Sequence, residues 1–159
     1  MEIGPLQEDT IESFIDELWI PAQHAMASVS EHTLVDDIRR DGLVHRRSRL
    51  SDDESITYLA HRENGLVGYV SAEVRTPPPI FQQVRECHIN ELFVRKDARR
   101  HGIAAELLST IEEWGRANDC QRLDLNIDAK NRPAIALYEA EDYDVKRYNM
   151  KKSIENEQF

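Results

Sequence analysis

Residues 90–105 constrain the fold of this chain more than any other segment. Residues 90–94 have the character of a β-strand, and apolar residues at helical spacing predict a helix from residue 103 to residue 114. The connection between them holds four basic residues: Arg95, Lys96, Arg99 and Arg100. Positive side chains oppose the dipole at a helix start, and a bound anion would resolve that conflict. Gly102 would let the turn wrap its amides around a phosphate, although a charged surface loop before an ordinary helix is the alternative.

Three segments of the chain resemble one known family. Arg99-Arg100-His101-Gly102-Ile103-Ala104 is similar to the Gln/Arg-x-x-Gly-x-Gly/Ala signature of the GNAT superfamily, the acetyl-CoA-dependent N-acetyltransferases. Glu91-Leu92-Phe93-Val94 resembles the central strand of that family, and residues 131–139 resemble its Asn-x-x-Ala-x-x-Leu-Tyr-Glu segment. The resemblance covers about residues 56–152. It implies an α/β (α+β) fold with a mixed, mainly antiparallel central sheet, one parallel β-α-β crossover and about four flanking helices.

The resemblance also implies acetyl-CoA as the cofactor. The backbone of the central strand would bind the pantetheine arm, the basic turn would hold the pyrophosphate, and the later loop would supply a further contact. The expected cofactor-binding residues are Leu92, Phe93, Val94, Arg99, Arg100, His101, Gly102, Ile103, Ala104, Asn131 and Ala134. The implied reaction is acetyl transfer to a primary amine by direct attack in a ternary complex. A non-catalytic acyl-CoA-binding sensor of the same fold is the alternative, because a fold alone does not fix an activity.

Acetyl transfer requires a neutral amine, so a base must remove its proton. Glu91 precedes the segment expected to bind the cofactor and is the candidate base, with Glu73 and Glu86 in reserve. Alternatively, Glu91 faces solvent or binds the cation of the acceptor. The resemblance places Tyr138 near the cofactor sulfur as general acid, whereas a core aromatic role is the other interpretation. A backbone N–H near Leu92 or Phe93 would stabilise the oxyanion if the strand is bulged there.

Composition narrows the class of protein. The chain has 159 residues, which predicts one domain over residues 1–159. Within it, the resemblance implies a cofactor-binding core at about 84–141 and acceptor-side helices at about 10–42. It shows no apolar run near 18 residues and no leader pattern, so we expect a cytoplasmic protein without a membrane span. Cys87 and Cys120 are interpreted as small buried hydrophobes, and no ligand set predicts a metal site.

Charge suggests which partners the protein has. Thirty acidic residues against twenty basic ones give a net charge of −10, which disfavours nucleic-acid binding and suggests a salt-loving source. The resemblance implies a small-molecule or peptide amine acceptor as the partner. A homodimer through the sheet edge at the C-terminal strand is also possible.

Periodicity and turn residues predict the remaining elements. We expect Pro21 to bend or end the first helix, and Gly42 to stop the second, whose inward residues would be Leu34, Val35 and Ile38. Asp142-Tyr143 stands where the family has Gly-Phe, and Asp tolerates the left-handed backbone that a helix end needs. The predicted helices are residues 10–19, 31–41, 103 to about 115 and one starting near Pro133; the predicted strands are residues 56–61, 66–74, 84–94, 122–127 and 143–152, with a proline-rich loop at 76–79.

Overall fold

A computed structural model describes residues 1–30, 32–63, 65–82 and 84–155 of the chain. It shows one five-stranded sheet in the order β1-β2-β3-β4-β5. The first four strands are antiparallel neighbours, and β5 runs parallel to β4 after a helical crossover, which confirms the predicted fold class. The strands are β1 (Glu2–Pro5), β2 (Ser55–Arg62), β3 (Gly65–Arg75), β4 (Glu86–Val94) and β5 (Arg122–Leu125). The helices are α1 (Ile11–Phe14), α2 (Ile20–Ala27), α3 (Ile38–Arg49), α4 (Ile103–Ala117) and α5 (Arg132–Ala140).

The sheet separates two apolar cores. Successive residues of a strand point to opposite faces, so Tyr69 and Val70 of β3 belong to different cores. Tyr69 is buried with apolar residues of α1 to α3, whereas Val70 is buried against α4. Tyr138 of α5 packs against the core on the α4 side. The N-terminal helices and the crossover helix therefore lie on opposite faces of the sheet.

Of the two predicted effects of Pro21, a bend or an end, the structure rules out the end, because the helix continues to Ala27. A π-helical segment, Ile15–Trp19, joins α1 to α2, and the amide of Ile20 donates to the carbonyl of Ile15. This wider turn restarts the hydrogen-bond pattern just before Pro21, which occupies the first turn of α2. Proline is tolerated there because the first-turn amides of a helix have no intrahelical partner.

The second helix was predicted seven residues too early. It spans Ile38–Arg49, while Glu31 lies outside the described residues and Val35, predicted to face inward, is 66% exposed. Gly42 lies inside this helix and does not stop it. A Cβ atom at Gly42 would lie 2.5 Å from Cζ3 of Trp19, so the glycine permits close packing of α3 against the first helix.

The antiparallel hairpin of β2 and β3 is confirmed, with Gly65 at a φ of 106°. Asn64, the other residue of the predicted turn signal, lies outside the described residues. Residues 76–79 form no strand, as expected, and β4 and β5 are each two residues shorter than predicted. Asp142 has a φ of 69°, which confirms that an aspartate can end the last helix in a left-handed conformation.

The predicted strand over residues 143–152 is wrong. Within the described chain this segment pairs with no strand, and its apolar side chains Val145, Tyr148 and Met150 are 70%, 90% and 91% exposed. An alternating pattern indicates a strand, but a strand also needs a neighbouring strand to pair with. The neighbouring strand β5 has only four residues available for pairing. In the described structure β5 is therefore an edge of the sheet.

None of the helices in the described ranges combines the length and apolar character needed to cross a bilayer.

Candidate active site

Half of the central strand has a free edge. Residues 86–89 of β4 pair with β5, whereas residues 90–94 have no strand partner on that side within the described chain. Asn90 is the extra residue of a β-bulge, since Glu91 pairs with Ser71 but the register shifts immediately after that pair. Bulges bend the strand that carries them, so β4 turns away from β5 where their pairing ends. An extended ligand can therefore bind along the exposed backbone, as an added strand does.

The turn after β4 presents a set of unused amides. The first backbone amide of α4 with a partner is that of Glu106, which donates to the Gly102 carbonyl at 3.1 Å. The amides of residues 99–105 make no hydrogen bond with the part of the chain that the structure describes. Arg100 and Gly102 have φ values of 66° and 77°, and such left-handed turns make anion-binding concavities of successive amides. Together with the helix start, they form a site suited to a phosphate.

Side chains in this turn mostly hold the turn together. Nε of Arg99 donates to the Val94 carbonyl at 3.0 Å, and the guanidinium lies 6.0 Å from the centre of the Phe93 ring. Nδ1 of His101 lies 3.3 Å from the Ala98 carbonyl oxygen. The side chain of Ile103 is in the core, so only its amide is available to a ligand. The remaining sites in this turn are therefore backbone groups and the exposed cation of Arg100.

Asn131 is the N-cap of α5. Its Oδ1 atom accepts a hydrogen bond from the amide of Ala134 at 3.4 Å. The capping oxygen is thus used within the chain, and the side-chain NH₂ of Asn131 is the group left for a ligand. Pro133 lies in the first turn of this helix, as the sequence predicts.

Glu91 does not point to a solvated face. Its side chain is 16% exposed and forms an ion pair with NH2 of Arg46. Its second oxygen accepts hydrogen bonds from Nε2 of Gln23 at 2.5 Å and from the hydroxyl of Tyr69 at 2.9 Å. Burial, together with the nearby charge of Glu91, raises the pKa of Tyr69 well above its usual range, so its hydroxyl remains a donor. Residues of α2, α3 and β3 therefore fix the orientation of this carboxylate.

Sequence reasoning missed Arg46. Its side chain is almost fully buried, NH1 donates to Oγ1 of Thr57 at 3.1 Å, and the guanidinium lies 5.2 Å from the centre of the Phe14 ring. The available signal was the spacing of Gly42, Leu43 and Arg46, which share one face of α3. Misplacing that helix concealed the spacing.

The two reserve carboxylates have other partners. Glu73 pairs with Arg49 at 2.8 Å and with Arg75 at 3.1 Å. Partial burial acts to raise the pKa of Glu73, but hydrogen bonds from the two arginines outweigh it and lower that pKa. Glu86 pairs with Arg122 at 3.0 Å, at the start of β4 and away from the bulge.

Tyr138 lies on the other side of the sheet. Its ring packs edge-on against Tyr143 with the centres 5.3 Å apart, and its hydroxyl makes no hydrogen bond within the described ranges. Burial raises the pKa of Tyr138 to about 12. The structure shows no contact between Tyr138 and Glu91, which belong to opposite faces.

The remaining titratable groups near β4 within the described residues do not converge on a metal site. Nδ1 of His88 lies 2.9 Å from Oδ1 of Asp124, its cross-strand neighbour on β5. Cys87 is buried, which raises the pKa of its thiol to about 12, and Cys120 is partly buried. No group of three His, Cys, Asp or Glu side chains among the described residues converges as a metal site would.

Fold and site together define a class of α/β protein. A bulged central strand with a free edge leads into a turn of free amides, an arrangement for holding an extended ligand that ends in phosphates. Residues 12–142 match the acetyltransferase (GNAT) family, and the chain belongs to that family. It is 30% identical over 101 residues to the uncharacterized N-acetyltransferase YhfO of Bacillus subtilis strain 168. That match covers 62% of this chain and spans 64% of the length of YhfO.

Solved structures have the same fold. A predicted acetyltransferase from Clostridium acetobutylicum, solved with acetyl-CoA, has a TM-score of 0.75 at 12% identity, with 96% of each chain covered. The aminoglycoside N-acetyltransferase AAC(6')-Iy, solved with CoA, has a TM-score of 0.75 at 15% identity, with coverage of 96% of this chain and 94% of that one. At these identities the likeness shows the fold alone.

Proposed function

We propose that this protein is an N-acetyltransferase that moves the acetyl group of acetyl-CoA to a primary amine by direct attack in a ternary complex. The observation that carries the proposal is the continuity of two empty backbone surfaces. The free edge of β4 leads directly into the unused amides before α4. An extended amide-containing arm attached to a diphosphate fits both surfaces, and two relatives of this fold were solved with CoA or acetyl-CoA.

The cofactor would be held mainly by backbone groups. Residues 92–94 would bind its pantetheine arm along the free edge, and the amides of residues 99–104 would bind its pyrophosphate. Arg100 adds an exposed positive charge at the same place, and the side-chain amide of Asn131 offers a further donor. When bound, acetyl-CoA supplies an activated acetyl group as a thioester.

Glu91 is the proposed base. It would take a proton from the amine directly or through water, and Arg46, Gln23 and Tyr69 hold its carboxylate in place. Tyr138 is the proposed acid, because its hydroxyl has no partner in the described chain and burial raises its pKa to about 12. It would donate a proton to the departing thiolate from the α4 side of the cleft between β4 and β5. A free amide beside the bulge would bind the developing oxyanion.

The primary experiment measures thiol release from acetyl-CoA with a panel of amines. With an active amine, we expect Glu91→Gln to lower kcat/KM by about 10²-fold to 10⁴-fold, the usual contribution of a general base. Glu86→Gln is the matched control, because Glu86 is on the same strand but pairs with Arg122 away from the bulge. Thermal unfolding of each variant separates lost chemistry from lost folding. Unchanged kcat/KM in a folded Glu91→Gln protein would remove Glu91 as the base.

A non-catalytic acyl-CoA sensor is the second candidate. The observation in its favour is that both oxygens of Glu91 already have partners, one of them the buried cation of Arg46. A carboxylate whose two oxygens are both bound within the protein suits a structural role as well as a chemical one. Tight acetyl-CoA binding, without thiol release for any amine, would support the sensor.

We also propose that the protein forms a homodimer through its C-terminal segment, defined as residues 144–155. This segment exposes Val145, Tyr148, Met150 and Ile154 and pairs with no strand of the described sheet. Residues 144–155 carry four basic residues and two acidic residues, whereas the whole chain has a net charge of −10. A second, acidic copy with an open β5 edge is therefore a complementary partner.

A further inference from the structure

A small polar cavity lies beside Glu91, on the face of the sheet that carries the N-terminal helices. Its walls come from α3 and from strands β2, β3 and β4, and its volume is about 40 Å³. A cavity needs about 10–15 Å³ to hold one water molecule, so this one has room for a few heavy atoms. The polar lining includes Arg46, Arg49, Thr57, Ser71, Asn90 and Glu91.

Two buried polar atoms of this lining have no partner among the described residues. They are Oγ of Ser71, a residue 4% exposed, and Nε of Arg46, a residue 6% exposed. A buried donor or acceptor left without a partner costs about 1–3 kcal/mol. Two such atoms among the lining residues of one cavity can be satisfied by a ligand with hydrogen-bonding atoms.

The charges around the cavity favour an anion. The guanidiniums of Arg46 and Arg49 line it, against the single carboxylate of Glu91, and the imidazole of His45 adds a further polar group. Arg46 and Arg49 also pair with Glu91 and Glu73, but a guanidinium has five N–H donors and keeps some free. Burial, and then the two arginines, lower the pKa of His45, although Glu91 and Glu73 oppose this effect. The guanidinium N–H donors that remain free can therefore bind an anion here.

We propose that this cavity binds the carboxylate of the acceptor, so that the acceptor is a small amine that also carries a carboxylate, as an amino acid does. The proposal rests on the acetyl transfer proposed above. Asn90 and Glu91 line the cavity and also begin the free edge of β4. A carboxylate bound here therefore places a nearby amine beside Glu91 and the edge where the thioester would lie. A polyamine, which has no anionic group, gains nothing from the cavity.

The test compares acceptors that differ only in their carboxylate. Thiol release from acetyl-CoA is measured with a panel of amino acids, their carboxamides and the corresponding decarboxylated amines. We expect kcat/KM to be at least about 10-fold higher for the best amino acid than for its carboxamide, from one or two hydrogen bonds to a charged group. Calorimetry on the CoA-loaded protein measures the binding of the same compounds independently of turnover.

Two variants connect any preference to the cavity. Ser71→Val fills it and removes one unpartnered atom, and Arg49→Gln removes one cation. In both variants we expect the KM for the amino acid to rise about 10-fold, with little change in kcat or in CoA affinity. Arg75→Gln is the matched control, because Arg75 also pairs with Glu73 but does not line the cavity. It is expected to retain the wild-type KM.

The outcomes separate this inference from the proposed function. Amine-dependent release at equal rates for amino acids and carboxamides would overturn the inference and leave the transferase standing. Amino-acid binding that is lost in Ser71→Val, without release for any amine, would support the cavity and overturn the transferase. Neither binding nor release would overturn both. A preference for the carboxylate that Ser71→Val and Arg49→Gln leave intact would place its binding site elsewhere.

Discussion

Arg46 and Glu91 form the most buried ion pair between an arginine and a carboxylate in the described ranges, with side chains 7% and 16% exposed. Removing two charges from water costs several kcal/mol per ion, which their attraction and further hydrogen bonds must offset. Arg46 donates a hydrogen bond to Oγ1 of Thr57, and Glu91 accepts hydrogen bonds from Gln23 and Tyr69, which completes that arrangement. The main effect of the pair is therefore on geometry, because it fixes the position of the Glu91 carboxylate beside the free edge of β4.

Replacing Arg46 by alanine is expected to lower the free energy of unfolding of the protein. Arg46→Ala leaves Glu91 buried without its cation, and breaking a buried pair in this way costs about 3–5 kcal/mol. Urea unfolding gives the free energy of unfolding. Arg39→Ala is the control, because Arg39 and Asp16 form an exposed pair, which contributes little to stability. Equal losses in the two variants would show that burial does not distinguish these pairs.

Tyr138→Phe tests the proposed acid at the level of one oxygen atom. If the hydroxyl protonates the thiolate, kcat falls by about 10-fold or more, within the range for acid–base groups. Tyr143→Phe is the matched control, since its ring contacts Tyr138 and its buried hydroxyl also lacks a partner. Burial raises the pKa of Tyr138 to about 12, so the wild-type kcat should show no loss from ionisation of this tyrosine between pH 7 and pH 9. Equal kcat values for both variants would leave Tyr138 a packing role only.

At the scale of elements, Gly42 connects α3 to the first helix. A methyl group there would meet the ring of Trp19 at 2.5 Å, closer than Cβ contacts occur in real structures. We expect Gly42→Ala to destabilise the protein by about 1–3 kcal/mol through overpacking, in spite of the better helix propensity of alanine. Chemical denaturation followed by tryptophan fluorescence measures this change.

Gly115→Ala provides the comparison for Gly42→Ala. Gly115 also lies in a helix, but the nearest atom to an added Cβ would be Cβ of Cys87 at 3.2 Å, which a small shift relieves. This variant is expected to be close to neutral. A Gly42→Ala protein as stable as wild type would mean that α3 moves freely away from Trp19.

The sequence predicted β4, its basic turn and α4 well because each has a strong local signal. Apolar residues repeat at helical spacing in α4, and Gly102 occurs where a left-handed residue is needed. The same reasoning failed at Gly42, because a glycine that ends a helix and a glycine that admits a neighbouring ring look alike in a sequence. Asn90 carries no local signal for a bulge, and the carboxylate partner of Arg46 lies 45 residues away in the sequence.

At the scale of the whole molecule, the C-terminal segment is the feature that lacks a strand partner within the described chain. Its alternating residues predicted a strand, but pairing is a long-range property and no edge of the described sheet receives it. We expect the protein to sediment as a dimer at micromolar concentration, and a chain ending at Tyr143 to sediment as a monomer. Analytical ultracentrifugation measures both.

A point variant avoids the risk that truncation loosens α5. Tyr148→Lys changes a side chain that is 90% exposed and touches little in the single chain, so it should shift the dimer toward monomer without changing the thermal stability of the fold. Lys152→Arg is the control, because it retains the charge in the same segment. A monomeric wild-type protein at all accessible concentrations would contradict the proposed dimer.

The placement of Glu91 and Tyr138 on opposite faces of the sheet has a consequence for repeated turnover. In the proposed reaction the first gains a proton and the second loses one, and the sheet prevents a direct return of that proton from one to the other. Each residue must recover its resting state by exchange with water on its own face. In deuterium oxide, the loss of the proton from Glu91 and the reprotonation of Tyr138 should therefore slow independently of each other. If water could not reach one face of the sheet, the enzyme would stop after a single cycle.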